Sequence, residues 1–403
     1  MRPLHYYLFG TGSWFLAFGI QSVVFAWLVT MVLRESAEMV GFAQMALLLP
    51  GTLLILIGGS VADRFGGRRL VIVSQLVASL APVILICAIW TEQFSYSYLL
   101  AYAAVMGSAQ AFVTPARDGL LNEVAGGRVQ RMVLKTSIAQ FGMQAVGLTV
   151  ASFADSQGPI LVLATQSLVM LLGGLAFFGI PKPTFVSAQR HSSTLVGSVL
   201  DGARTVMGSP PIRAVALQNV AMAFFFLGSY IVTMPLLVRE VFAGSAVDLA
   251  YMNGLNSAGL VATIIILLRV GDIRRPGRAL LLSQFAGSVV LGLCGLTNAF
   301  WLLCSIMFFW GLCGGIALTM SRTIMQVKAP PEQRSRVMSF YSFSFMGAGP
   351  IGALLAGFLS ERYGPQSALM IAALANFIVI LIVGLTSSLW QVSDHPNPEE
   401  GIV

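Results

Sequence analysis

Residues 59–69 read Gly59-Ser60-Val61-Ala62-Asp63-Arg64-Phe65-Gly66-Gly67-Arg68-Arg69. Three arginines and one aspartate are packed into the seven positions after Ala62, with apolar runs at 39–62 and 70–90 on either side. A helix needs about 20 apolar residues to cross the hydrocarbon core of a bilayer. The stretch therefore reads as a short charged connection between two membrane spans. Gly59 and Gly66 fit that reading, because glycine lets helices approach closely and lets the chain turn tightly.

Working outward in both directions gives twelve such windows: 6–33, 39–62, 70–90, 97–122, 133–154 and 159–180, then 212–238, 249–270, 279–297, 300–326, 337–359 and 366–390. The expected fold is an all-α membrane protein whose twelve transmembrane helices form two pseudo-symmetric six-helix bundles. The domains are a first bundle over 1–180, a linker over 181–211, a second bundle over 212–390 and a tail over 391–403. Leu195, Val196, Val199, Leu200, Ala203, Val206 and Met207 recur at helical spacing in the linker, which predicts an amphipathic helix along the membrane surface.

Composition agrees. Of 403 residues, 57% are hydrophobic and only 10% charged, and mean hydropathy is +0.83. A soluble domain carries about 25% charged residues, so a cytosolic enzyme, a nucleic-acid module and a disordered chain are excluded. The net charge of +7 is accounted for by the excess of Lys and Arg on the cytoplasmic side of membrane proteins. With a cytoplasmic N-terminus, 20 of the 23 basic residues fall on that side, leaving Arg34, Arg239 and Arg362 outside. Miscounting one helix would scramble this alternation. Both termini are then cytoplasmic, and the first helix, with no small-residue cleavage site before it, is read as retained. The four cysteines, Cys87, Cys294, Cys304 and Cys313, lie in apolar runs without metal or redox spacing. No metal, cofactor or catalytic set is expected.

The halves repeat. A shift of 205 aligns Arg117 with Arg322, Arg131 with Arg336, Gly142 with Gly347 and Gly147 with Gly352; a shift of 209 aligns Asp63 with Asp272 and Arg69 with Arg278. Such repeats place a substrate site between the halves near the bilayer midplane.

The 59–69 stretch resembles the G-x-x-x-D-R-x-G-x-[RK]-[RK] loop between helices 2 and 3 of the major facilitator superfamily. Thr114-Pro115-Ala116-Arg117-Asp118-Gly119, and Asp201-Gly202-Ala203-Arg204 followed by Pro210-Pro211-Ile212-Arg213, are similar to segments of its macrolide-efflux and enterobactin-exporter branch. The resemblance implies a cytoplasmic charge network that latches one transport state. It is built from Asp63, Arg64 and Arg68, with Arg117 and either Asp118 or Glu123 as partners. The Gly-Pro pair usual in helix 5 of antiporters is missing here and occurs in helix 11, as Gly349-Pro350-Ile351-Gly352. Helices 1, 4, 7 and 10 line the cavity in the superfamily. On them the substrate candidates are Gln21, Phe25, Gln110, Asn219, Phe225, Tyr230, Phe309 and Trp310.

A buried amide without a partner costs about 1–3 kcal/mol, so each must face another helix, water or ligand. Amides and aromatics together suit a large, mostly apolar molecule. The expected function is secondary active transport by alternating access, exporting an amphipathic or drug-like compound or a siderophore by proton antiport from a bacterial inner membrane, as a monomer. A lipid or lysophospholipid flippase on the same fold is the alternative, and a non-transporting sensor or assembly factor the alternative of another class.

Overall fold

A computed structural model describes residues 3–125, 129–181, 204, 206–271, 273–329 and 334–392. The amphipathic linker helix, apart from its last residues, and the tail beyond 392 lie outside them. Among the described residues twelve long helices follow one another: α1 (Pro3–Trp27), α2 (Ala37–Phe65), α3 (Gly67–Trp90), α4 (Tyr96–Ala125), α5 (Val129–Ala151) and α6 (Pro159–Ala176). Then come α7, starting at Pro210–Ala221 and ending at Met234–Glu240, α8 (Ala246–Val270), α9 (Pro276–Leu296), α10 (Phe300–Lys328), α11 (Arg334–Tyr363) and α12 (Pro365–Thr386). The described residues contain no strand. Eleven of these helices are long and apolar enough to span a membrane. The twelfth, α5, carries Gln130, Arg131, Lys135, Gln140 and Gln144. Gly66 precedes α3 at φ +85°, a backbone conformation that disfavours side chains, as its place in the charged loop required.

The chain forms two compact units. One comprises 1–190 together with the strap Val238–Gly254, the other 191–237 and Leu255–Val403. This divides the chain differently from a cut at the linker alone, because the strap joining α7 to α8 clusters with the first six helices. On the outer helices of each unit, large apolar side chains are exposed in stripes at helical spacing. Val73, Val77 and Leu80 line α3; Leu282, Phe285, Val289 and Leu293 line α9; Leu374, Ile378, Leu381 and Leu385 line α12. In water such stripes would be an aggregation liability; in a bilayer they are the solvated surface.

The interiors are set by glycine crossings that recur in both halves. In the first unit, a Cβ on Gly147 of α5 would lie 2.1 Å from the Leu16 carbonyl oxygen of α1, opposite Gly19. In the second, a Cβ on Gly352 of α11 would lie 2.3 Å from the Phe224 carbonyl oxygen, and one on Gly228 would lie 2.4 Å from that of Gly352. Likewise Gly107 of α4 packs on the Leu47 carbonyl of α2, and Gly311 of α10 on that of Asn256 of α8. Without a hydrophobic driving force between helices in lipid, such close backbone contact supplies the packing.

Buried amides repeat as well. Gln75 of α3 donates from Nε2 to Ser13 Oγ (3.0 Å) and to the Met170 (3.3 Å) and Gly10 (3.4 Å) carbonyls, tying α3 to α1 and α6. Its counterpart 209 residues on, Gln284, faces Met222 where the first half has Ser13, and the sulfur is a weak acceptor at 3.9 Å. Asn376 donates to Ser288 Oγ at 2.9 Å. Replacing Gln75 by leucine is expected to lower stability by about 1 kcal/mol or more, read as a lower melting temperature in detergent. Gln284→Leu is expected to be neutral or stabilising, since Gln284 Nε2 gives up only a sulfur acceptor at 3.9 Å where Gln75 Nε2 gives up three oxygen acceptors.

Candidate functional site

The charged loop is positioned by the ends of α2 and α3. The side chains of Asp63, Arg64 and Glu123 lie outside the described residues, as does that of Gly59's neighbourhood in α2. Arg68, in the first turn of α3, donates from Nη2 to the Phe178 carbonyl at 2.8 Å, with its guanidinium carbon 5.8 Å from the Phe178 ring centroid. A cation on a helix's closing carbonyls is favourable because those groups carry the negative end of the helix dipole. The second half repeats the device: Arg278 of α9 donates to the Trp390 carbonyl at 3.0 Å and lies over its ring at 5.3 Å. Arg68 therefore holds the end of the sixth helix, a contact that the family resemblance did not assign to it.

Arg117 is the unusual charge. It sits on α4 at 8% exposure, its guanidinium carbon 4.6 Å from the Phe15 ring centroid of α1. Its Nε is 3.7 Å from Asp118 Oδ1, and that carboxylate is itself two-thirds exposed. Nη1 has no partner among the described residues. The Arg117 carbonyl accepts from the Tyr7 hydroxyl at 3.3 Å. Buried guanidinium groups ordinarily find paired carboxylates; this one is held chiefly over an aromatic face.

The substrate candidates are distributed unevenly. In the first unit Gln21 and Phe25 are buried at 4% and 2% exposure. Phe25 stacks on Tyr102 of α4, with centroids 5.8 Å apart, and the Tyr102 hydroxyl accepts from Gln166 Nε2 at 2.8 Å. Gln110 is half-buried. In the second unit, helix α7 widens into π-helical turns over Met222–Leu227 and Ser229–Thr233, a distortion frequent at functional sites. Here Phe226 and Tyr230 converge on Trp310 of α10, with centroids at 5.5 and 5.9 Å. Phe225 lines a small recess with Phe224, Ser229, Thr233 and Leu355. Asn219 is 1% exposed with neither amide atom partnered among the described residues; the adjacent Gln218 is likewise buried and unpaired. Phe309, by contrast, is 57% exposed and stands apart from this group. Gly349 and Gly352 are buried in α11 around Pro350. The described carboxylates lie at helix ends or connections, apart from Asp118 two turns before the end of α4, and no metal-ligand cluster occurs among the described residues.

Two bundles grown from one repeat, with apolar outer stripes and a charged loop after the second helix, define a multi-pass transporter of the major facilitator superfamily. The chain belongs to that superfamily's transmembrane secretion effector family, whose model matches residues 9–398. Among curated relatives, the multidrug efflux pump Tap of Mycobacterium tuberculosis is 25% identical over 377 residues, covering 88% of this chain and 86% of Tap. The MFS-type transporter YfiS of Bacillus subtilis is 22% identical over 365 residues, covering 85% and 82%. In fold, the chain is similar to a point mutant of the nucleoside transporter NupG (TM-score 0.78, 12% identity, 95% of this chain and 99% of that one). It is also similar to a bacterial homologue of the lysosomal transporter Spinster (TM-score 0.71, 13% identity, 96% and 95%).

Proposed function

We propose that this chain exports amphipathic, drug-like molecules from the cytoplasm by proton antiport, in a bacterial inner membrane with both termini inside. The observation that carries the reading is the aromatic group Phe226, Tyr230 and Trp310, together with the buried amides of Gln218 and Asn219 on the same helix as Phe226 and Tyr230, which have no partner among the described residues. It offers a dispersive surface and uncommitted hydrogen-bonding groups, with no formal charge on any of the five. A small ionic substrate would find nothing there to replace its hydration, whereas an apolar molecule with a few polar atoms would. The efflux activity in the name of the relative Tap supports the same substrate class, and the distribution of basic residues supports the orientation. Asp63, Arg64 and Arg117 are assigned to the cytoplasmic latch, with Asp118 or Glu123 as partner and Arg68 anchoring the loop to α6. The test is efflux of a fluorescent amphipathic dye from cells expressing the protein. Export that collapses on adding a protonophore is the expected result. Absence of export from protein shown to be folded in the membrane would overturn the drug-exporter reading, and lipid movement by the same protein in proteoliposomes would put a flippase in its place.

A further inference from the structure

Asp155 belongs to a single helical turn, Ala154–Gln157, between α5 and α6. Its carboxylate is fully committed. Oδ1 accepts from the Trp27 indole Nε1 at 2.9 Å, and Oδ2 accepts from the Ala246 backbone N–H at 2.5 Å. Ala246 opens α8, so the carboxylate sits on a helix N-terminus, where orphan N–H groups and the positive end of the dipole favour an anion. The helix also supplies its own cap: Asp248 Oδ2 accepts from the Ser245 N–H (2.8 Å) and hydroxyl (2.9 Å). Asp155 is thus not needed to begin α8. It attaches the helix to something else.

A second attachment uses the opposite charge and the opposite helix end. Arg239, at the close of α7, donates from Nη1 to the carbonyls of Thr30 (3.1 Å) and Glu35 (2.8 Å), where α1 ends in a π-helical turn. Its Nη2 pairs with Glu240 at 2.6 Å. Both attachments grip the strap 238–254, which clusters with the first unit although the chain on either side of it belongs to the second. Arg239 is also one of only three basic residues on the side opposite the N-terminus by the span count. A salient charge is thereby given a task that sequence-level topology did not supply.

We infer that Asp155 and Arg239 are positioning residues for transport, forming an outer latch that holds the α7–α8 strap to the first unit and must release once in each cycle. The inference rests on the proposed orientation and on transport, not on which molecule is carried. Each attachment is a charge on polar groups at or just beyond a helix end or on the Trp27 indole N–H, and each bond is replaceable by water, so release costs little and needs no repacking of the core. That is the property a two-state element requires.

The reporter is Ala246→Cys, at a position with no exposed surface, in full-length protein with the four native cysteines replaced. Asp155→Ala and Arg239→Ala are each expected to raise its rate of modification by an impermeant external maleimide about tenfold, with Asp155→Asn as the isosteric version should the alanine variant fold poorly. Joining Asp155→Cys to Ala246→Cys with a short bifunctional thiol reagent is expected to stop transport, and cleaving the link to restore it. A part that merely stabilises the fold would not stop transport when tied down. Unchanged labelling in the folded variants, or full transport by the cross-linked protein, overturns the latch. Labelling only from the cytoplasmic face overturns the outer assignment. Because labelling needs no substrate, a tenfold response in cells that export no dye would uphold the latch and reject the drug-exporter reading.

Discussion

Leucine at position 147 is expected to abolish accumulation of folded protein in the membrane. A Cβ there would lie 2.1 Å from the Leu16 carbonyl oxygen and 3.0 Å from the Gly19 Cα, both backbone atoms of α1. No rotamer change relieves such a clash. The helices must separate by more than an ångström along the crossing, and the contacts on both sides of it are lost. Overpacking a core ordinarily costs about 1–3 kcal/mol because side chains shift; here none can, and the penalty falls on helix association itself. Gly352→Leu carries the same cost in the second unit, where the Phe224 backbone is the obstacle. Gly142→Leu is the internal control. It lies five residues earlier on α5, is exposed, and a Cβ there meets nothing within 4 Å. Leucine is also the better helix former by somewhat under 1 kcal/mol. Size-exclusion profiles of detergent-solubilised protein separate the cases: a monodisperse peak for Gly142→Leu, and loss of that peak for Gly147→Leu and Gly352→Leu. A normal peak for Gly147→Leu would mean that the α1–α5 crossing is not set by these two glycines.

The crossing was half visible in the sequence. Gly147 and Gly352 align under the 205 shift, and their partners Gly19 and Gly228 under the 209 shift, so the recurrence was legible among 41 glycines, but nothing in the sequence said that each pair faces the other. The spans were legible because a bilayer imposes a length, and the alternation of basic residues because a membrane imposes two sides. What escaped was whatever depends on rotation about a helix or on distance along the chain. Phe309 and Trp310 are neighbours of one type, yet they differ by about 100° on the helix; one is 57% exposed and the other 6%. Gln75 and Gln166 looked like any polar residue in an apolar run, since nothing local says that Ser13 or Tyr102 waits across the interface. Asp155 gave no signal at all. It is a lone acid in a connection, and its partners are 128 residues before it and 91 after.

Arg117→Met is expected to cut transport to about a tenth or less while leaving the melting temperature within a few degrees of the parent. Those two effects ordinarily travel together; they part here because of how the charge is housed. The guanidinium is nearly buried, its one described ionic contact is a 3.7 Å approach to an exposed carboxylate, and Nη1 is unpartnered among the described residues. A charge removed from water and incompletely paired contributes little stability, and an apolar residue of similar length is often neutral or better in its place. Methionine also keeps the contact with the Phe15 ring through its thioether. The function proposed for the charge has no such substitute. If Arg117 exchanges its place over Phe15 for a carboxylate of the 59–69 loop or of α4 during the cycle, its removal deletes the difference in energy between two states. A coupling of about 1–3 kcal/mol corresponds to a 5- to 150-fold effect. Arg117→Lys is expected to fall between, because it restores the charge without the planar donor fork that stacks on the ring. Dye efflux per molecule of membrane-inserted protein, paired with melting curves of the same preparations, makes the comparison. Equal loss of transport and of melting temperature would make Arg117 a structural anchor. Full transport by Arg117→Met would remove it from the latch and leave Asp63 to act with the other arginines of its loop.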